Sequence, residues 1–278
     1  MKNRKLLLVT ALFIVTIACY AQETLDTPNV EAILYTGAGN NQPLVVGLGG
    51  SEGGNAWTSD RWAKTRQEFI DKGYAFLAVG YFNCKGTPPL LDRIAIDEIH
   101  AAIKKAAGNE KVNGGKIAIV GGSRGADLAL LLASYYDDIS CVVGMSASHA
   151  VFPGHTQEFA TSCWTFAGKE LPFVPVNEES VPFLMKRNLR GAFEAMLKDS
   201  ISEQKALIPV ERMKGPVLLM SATDDEIIPA VAMGEIMMKT FKRNRFGYAS
   251  EHVIYEGSHA EPTKHFDKIF TFLEANFR

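Results

Sequence analysis

The segment that most restricts how this chain can fold is a strand that turns at once into a helix. Lys116–Val120 is short, apolar and β-branched. It runs through Gly121-Gly122-Ser123-Arg124-Gly125-Ala126 into the apolar stretch Asp127–Ala133. Strand, G-x-S-x-G and helix in that order describe a tight elbow. Such a turn forces unusual dihedral angles on its middle residue and lifts that side chain off the sheet edge. The residues two before and two after come close together, so Gly121 and Gly125 are expected where a side chain would not fit. Ser123 would then stand at the carboxyl end of a central strand. The N–H of Arg124 would point at whatever Ser123 attacks, and the helix N-terminus would favour developing negative charge. The plainer alternative is a glycine-rich turn in which Ser123 only caps the helix.

The remaining elements suit such an elbow. Strands are expected at Val30–Tyr35, Leu44–Leu48, Ala75–Gly80, Cys141–Met145, Val217–Ser221 and His252–Tyr255. Helices are expected near Asp60–Lys72, Asp92–Ala107, Arg124–Ser134, Ala230–Phe241 and Thr263–Phe277, with Gly73 taking a left-handed helix cap. Apolar strands alternating with helices imply an α/β fold with a mostly parallel, doubly wound sheet. A chain of 278 residues with 47% hydrophobic and 22% charged side chains fits one such domain and excludes disorder or coiled coil. One stretch breaks the rhythm. From about residue 152 to 212 no strong strand is expected, only a helix near Asn188–Ile201 and the side chains Trp164, Phe166, Phe173, Phe183, Phe193 and Met196. It reads as a cap over a substrate pocket, the alternative being additional packing.

A serine nucleophile needs a base, and the base needs an orienting acid. In an elbow fold the chain order is Ser, acid, His. The strand at Val217–Ser221 leads into Asp224-Asp225-Glu226-Ile227-Ile228-Pro229, where an acid belongs. A small residue three positions before the acid and an aliphatic-proline pair after it select Asp225 over Asp224. The strand at His252–Tyr255 leads into Glu256-Gly257-Ser258-His259. His259 therefore reads as the base. His100 and His265 fall on helices, His252 begins a strand, His149 follows the strand at Cys141–Met145 and reads as structural, and His155 opens the irregular stretch. The loop Gly47-Leu48-Gly49-Gly50-Ser51-Glu52-Gly53-Gly54 lets backbone N–H groups approach an oxyanion unobstructed. The N–H of Ser51, with Gly50 as alternative, is expected to join that of Arg124 there. A dinucleotide loop fits the same glycines poorly, because no acid ends the second strand. No Walker motif, H-E-x-x-H or C-x-x-C occurs, so no metal and no cofactor is expected.

Before the first strand, Lys2, Arg4 and Lys5 precede the apolar run Leu6–Ala18, too short to span a bilayer comfortably. Cys19-Tyr20-Ala21-Gln22 then suits signal-peptidase cleavage after Ala21, giving an exported protein of residues 22–278 with no membrane span. Lipidation at Cys19 and a retained anchor are the alternatives. The mature chain would carry a net charge of −5, and the full chain carries −2, which offers nothing to a nucleic-acid backbone. Cys84, Cys141 and Cys163 would remain, an odd number that leaves at least one free thiol.

With these residues in place, the chain resembles the catalytic domain shared by acyl-CoA thioester hydrolases and bile-acid-CoA:amino-acid N-acyltransferases, within the α/β-hydrolase superfamily. The resemblance runs from about Ala32 to the C-terminus. It is carried by Gly49–Gly54, Gly73–Phe82, Gly122–Asp127, Ser148–Phe152, Ser162-Cys163-Trp164 with Gly168, Ile208–Glu211 and His259-Ala260-Glu261-Pro262. The family nucleophile is Cys or Ser and falls on Ser123, and the family acid and base fall on Asp225 and His259. The resemblance implies an α/β-hydrolase fold and cleavage or transfer of an acyl group held as a thioester. Three departures stand out. There is no room for the N-terminal β-sandwich of the animal enzymes, Ile228 stands where a Trp is common, and an export signal leads away from acyl-CoA.

The combined expectation is a serine hydrolase that cleaves a carboxylic ester or thioester of an apolar acyl group through an acyl-enzyme. Its partner is a small acyl ester or thioester. An acyl-CoA thioesterase or N-acyltransferase, a peptidase, and a secreted binding protein without turnover are the rival readings.

Overall fold

The computed structural model describes residues 21–277; the basic and apolar N-terminal segment and Cys19 lie outside them. The main sheet has eight strands: β1 (Ala21–Leu25), β2 (Glu31–Thr36), β3 (Gln42–Leu48), β4 (Ala75–Gly80), β6 (Val112–Gly122), β7 (Cys141–Met145), β10 (Val217–Ala222) and β11 (Ser250–Tyr255). Their spatial order is β1-β2-β4-β3-β6-β7-β10-β11. The first two strands run antiparallel to their neighbours and the other six are mutually parallel. Three further short strands, β5 (Ile94–Ala95), β8 (Trp164–Phe166) and β9 (Lys169–Glu170), form a separate small sheet.

Both faces of the parallel strands are buried, and successive side chains divide between them with period two. In β6, Ile117 and Ile119 join one core while Ala118 and Val120 join the other. The first core is completed by α2 (Ile96–Ala107), α3 (Arg124–Tyr135) and α7 (Ala230–Arg243). The second is covered by α1 (Asp60–Asp71) and α8 (Phe266–Asn276), where Trp57, Phe69, Phe76 and Phe270 pack edge-to-face or tilted. α3 is buried over eleven of its twelve residues, so its apolar composition is a packing requirement.

Most expected elements match to within two residues, and Gly73 does take a left-handed conformation, at φ 89°. The differences have local causes. β1 is mostly exposed and polar, an edge strand without a burial pattern to betray it. α2 starts at Ile96 because Ile94–Ala95 pairs with β8. α8 starts at Phe266, since Glu261–Lys264 forms a separate 3-10 turn. In the 152–212 segment, where no strong strand was expected, β8 and β9 occur as a short hairpin. The single helix expected near Asn188–Ile201 is two, α5 (Leu189–Met196) and α6 (Ser200–Ala206), because Asp199 caps the second through its side chain. A small helix, α4 (Val181–Met185), precedes them. Cys84, Cys141 and Cys163 are all free thiols. No helix among the described residues is long and apolar enough to cross a membrane.

Candidate active site

β6, central in the parallel sheet, delivers Ser123 at φ 52° and ψ −123°, a strained pair of angles for a residue with a side chain. Two hydrogen bonds hold it there. The Ser123 N–H donates to the Met145 carbonyl at 2.8 Å, and Ala126 N–H donates to the Ser123 carbonyl at 2.8 Å. A Cβ on Gly121 would overlap the Gly125 carbonyl, and a Cβ on Gly125 would overlap that of Gly49. These two glycines let the elbow close and the loop after β3 lie against it.

The loops after β10 and β11 are joined side by side. Thr223 N–H donates to the Tyr255 carbonyl and Asp224 N–H to that of Gly257, each at 2.9 Å, which extends the parallel pairing past the strand ends. This brings Asp225 and His259 to Ser123. One carboxylate oxygen of Asp225 lies 2.7 Å from His259 Nδ1. The other accepts the N–H groups of Ile227 and Ile228 at 2.9 and 3.0 Å. Asp225 is completely buried, so this set of donors is what supports its charge. With Nδ1 donating to the carboxylate, His259 Nε2 is left to accept from Ser123 Oγ at 3.0 Å. Asp224 points to solvent, its carboxylate bonded by the Thr223 hydroxyl at 3.2 Å.

Several supporting groups were not foreseen from the sequence. Glu226 accepts the His259 N–H at 2.9 Å, and Ser146 Oγ donates to the His259 carbonyl at 2.9 Å, so the backbone is held on both sides of the imidazole. Arg190 of α5 donates to the Asp225 carbonyl at 2.9 Å. Of the other histidines, His149 bonds Glu203 of α6 at 2.7 Å, His100 bonds Asp138, His252 bonds Ser221 and His265 bonds Glu261, while His155 lines a cavity that reaches Ser123.

The expected oxyanion groups also converge. Arg124 is the first residue of α3, so its N–H has no acceptor within the helix. Gly50 abuts Ser123, for a Cβ there would lie 3.2 Å from Ser123 Cβ. The Tyr81 hydroxyl donates to the Gly49 carbonyl at 2.7 Å. Burial raises the Tyr81 phenol well above its ordinary value and keeps it a neutral donor. Ser51 lines one cavity at Ser123, and Gly50 lines a second, separate groove there.

That cavity is about 350 Å³ and reaches from Ser123 under the 152–212 segment. Its walls are mostly apolar, including Val176, Leu184, Leu189, Phe193, Met196 and Ile228, with Arg124, His155 and Ser148 as polar exceptions. Of the five aromatic residues expected from this segment, Phe193 alone lines it. Trp164 is fully buried against Tyr81, Phe166 packs on Tyr135, Phe173 joins the main core, and Phe183 fills the space over Gly191. Beside the cavity, the Arg124 guanidinium donates to Asp127 at 2.9 Å and lies 5.4 and 5.5 Å from the Phe152 and Phe193 rings. Asp127 also accepts the Ser148 N–H at 2.7 Å. Burial pushes the Asp127 carboxyl up to about 6, with Arg124 offsetting only part of that shift. One sequence signal existed for this pair: Arg124 and Asp127 are the only charges on an otherwise apolar helix, three residues apart.

A parallel sheet with helices on both faces and a strained serine between strand and helix define an α/β-hydrolase fold. Solved structures agree on the fold. An esterase from Pyrococcus furiosus aligns with 99% of this chain and 100% of its own, at 17% identity and a TM-score of 0.56. A dienelactone hydrolase from Anabaena variabilis aligns over 93% and 99%, at 14% identity and a TM-score of 0.54. The family model for the C-terminal domain of BAAT and acyl-CoA thioester hydrolases matches residues 100–260, and the chain belongs to that family. Its relatives include the peroxisomal succinyl-coenzyme A thioesterase of Mus musculus, 27% identical over 161 residues, and acyl-coenzyme A thioesterase 1 of Rattus norvegicus, 29% identical over 154 residues. Each match covers 55% of this chain but 34% of the relative, so the chain spans about a third of the length of the curated relatives it matches.

Proposed function

We propose that this protein is a serine hydrolase that cleaves an ester or thioester of an apolar acyl group. The observation that carries this reading is the hydrogen-bonded line Asp225–His259–Ser123 opening on the apolar cavity. Ser123 Oγ attacks the acyl carbon while His259 Nε2 takes its proton. The Arg124 N–H, with that of Ser51 or Gly50, binds the oxyanion. The tetrahedral intermediate collapses, the bond to the leaving group breaks, and His259 returns the proton to it. Water, deprotonated by His259, then adds to the acyl-enzyme and releases the acid and Ser123. Residues 152–212 act as the cap that excludes water from the acyl chain, and residues 1–21 act as an export signal.

The test is labelling by a fluorophosphonate probe together with turnover of a nitrophenyl ester. Ser123→Ala is expected to abolish labelling and to cost on the order of 10⁶ in turnover. Undiminished labelling in the variant would overturn the reading.

A second reading, acyl-CoA thioester hydrolysis, draws on the activities named for the mammalian relatives. The net charge provides no long-range attraction for the phosphates of CoA. We therefore place esters first, and kcat/KM for an ester and an acyl-CoA of equal chain length decides between them.

A further inference from the structure

Two spaces meet at Ser123, and they differ in chemistry. One is the apolar cavity. The other is a groove of about 140 Å³ that includes Gly50, Glu52, Trp57, Arg61, Ser123 and His259. His259 belongs to this groove, and the base that takes the serine proton must later return it to the departing oxygen or sulfur. The leaving group therefore occupies the groove, and the acyl chain the cavity. This step rests on the hydrolase reading above.

The groove holds a charge that the catalytic line does not use. Glu52 reaches back over the glycine loop: its Oε2 lies 2.7 Å from where a Gly50 Cβ would be, and that point is 3.2 Å from Ser123 Cβ. The carboxylate oxygen is thus no farther from Ser123 Cβ than those two lengths combined. Glu52 makes no hydrogen bond or ion pair among the described residues, and it is open to solvent. Arg61, which lines the same groove, directs its guanidinium over the Trp62 ring at 5.3 Å instead. A free negative charge this close to Ser123 opposes the developing oxyanion. That cost disappears when the substrate itself brings a positive charge to the leaving-group side.

We propose that Glu52 selects substrates whose leaving alcohol or thiol carries a cationic ammonium group close to the scissile bond. The ammonium pairs with the Glu52 carboxylate in the Michaelis complex. It departs with the alcohol once His259 has protonated the leaving oxygen. The polyanionic leaving group of an acyl-CoA meets the opposite situation at the same carboxylate.

The experiment compares butyrylcholine with 3,3-dimethylbutyl butyrate, which has the same shape with carbon in place of the charged nitrogen. The wild type is expected to favour the choline ester in kcat/KM by about fivefold or more, fivefold being the scale of one solvent-exposed ion pair. Glu52→Gln should lower the ratio about fivefold, to the remainder set by choline being the better leaving alcohol, Glu52→Asp should restore part of it, and the wild-type ratio should fall at high salt. Should Glu52→Gln fail to fold, the wild-type ratio and its salt dependence decide. A ratio near or below one in the wild type, or one that Glu52→Gln leaves unchanged, would overturn the assignment. A preference for an anionic leaving group would give the groove to Arg61 and overturn it equally. Ser123→Ala run beside these separates the two claims, because loss of all turnover there upholds the hydrolase reading whatever the ratio shows.

Discussion

The strand-end framework and the 152–212 segment meet at one serine but are built by different rules. In the framework the strands, the elbow and the strand-end loops follow from local sequence: period-two burial, a glycine where backbone crosses backbone, a loop at each strand end. In the 152–212 segment the placements follow from what the chain touches. Phe193 reaches the cavity because Phe152 and Arg124 support it, and α5 is anchored by Arg190 on the Asp225 carbonyl. In the proposed function the reactive groups therefore sit on the part whose geometry is fixed locally, and the acyl-facing surface on the part whose geometry depends on contacts. Chemistry and acyl preference should respond separately to mutation.

After Ser123 itself, the largest effect expected in the framework is on Asp225. Asp225→Asn should lower turnover roughly 10⁴-fold by leaving His259 in the wrong tautomer. Asp224→Asn should change it little, since that side chain faces solvent. Kinetics of the two variants check the one-residue distinction, and a larger loss at Asp224 would break the separation of roles.

Asp127 tests where the two parts join. Its carboxyl is raised to about 6 in the fold, above the usual value near 4 when unfolded. The folded state therefore binds the proton more tightly, and Asp127 contributes most to stability below about pH 4. That contribution is lost as pH rises through about 6. Relative to Asp127→Asn, the wild type should gain roughly 2 kcal/mol between pH 7 and pH 4. Denaturant titrations of both proteins read this directly, and an opposite slope would show the Arg124 pair outweighing burial.

In the 152–212 segment, Phe193→Ala should lower kcat/KM for long-chain esters roughly tenfold, about the value of one partly buried aromatic contact. Acetyl esters should be nearly unaffected. An equal loss on both would mean that this segment shapes the chemistry as well as the chain preference. A small effect belongs to Glu226→Gln, which keeps an acceptor for the His259 N–H. Turnover should fall by about threefold or less, the scale of one modest hydrogen bond.

The same contrast explains what could be read from the sequence. The parallel strands announced themselves because burial on both faces demands continuous apolar runs, and Ser123, Asp225 and His259 stood out because each follows such a run. The edge strand β1 carried no such pattern. Glu226 and Ser146 act on His259 through one hydrogen bond each, and Arg190 on the Asp225 loop through the Thr223 and Asp225 carbonyls, across up to 113 positions in sequence, and no local spacing encodes that. The 152–212 segment misled in detail because aromatic content says that a surface is apolar but not which way it faces. Trp164 and Phe166 spend theirs inward.

The bond from Tyr81 to the Gly49 carbonyl has a consequence of its own. A trans peptide is a rigid plate, so fixing the oxygen on one edge also fixes the N–H of Gly50 on the other. Tyr81 is itself immobilised in the core, packed against Trp164 and Phe82. The dipole beside Ser123 is thus oriented during folding, before the proposed turnover begins. A water molecule offering the same bond would have to rotate as charge built up, whereas this amide has no rotation left to make. In the proposed mechanism the reorganisation energy of that step would be met once, by the interior, before any substrate arrives.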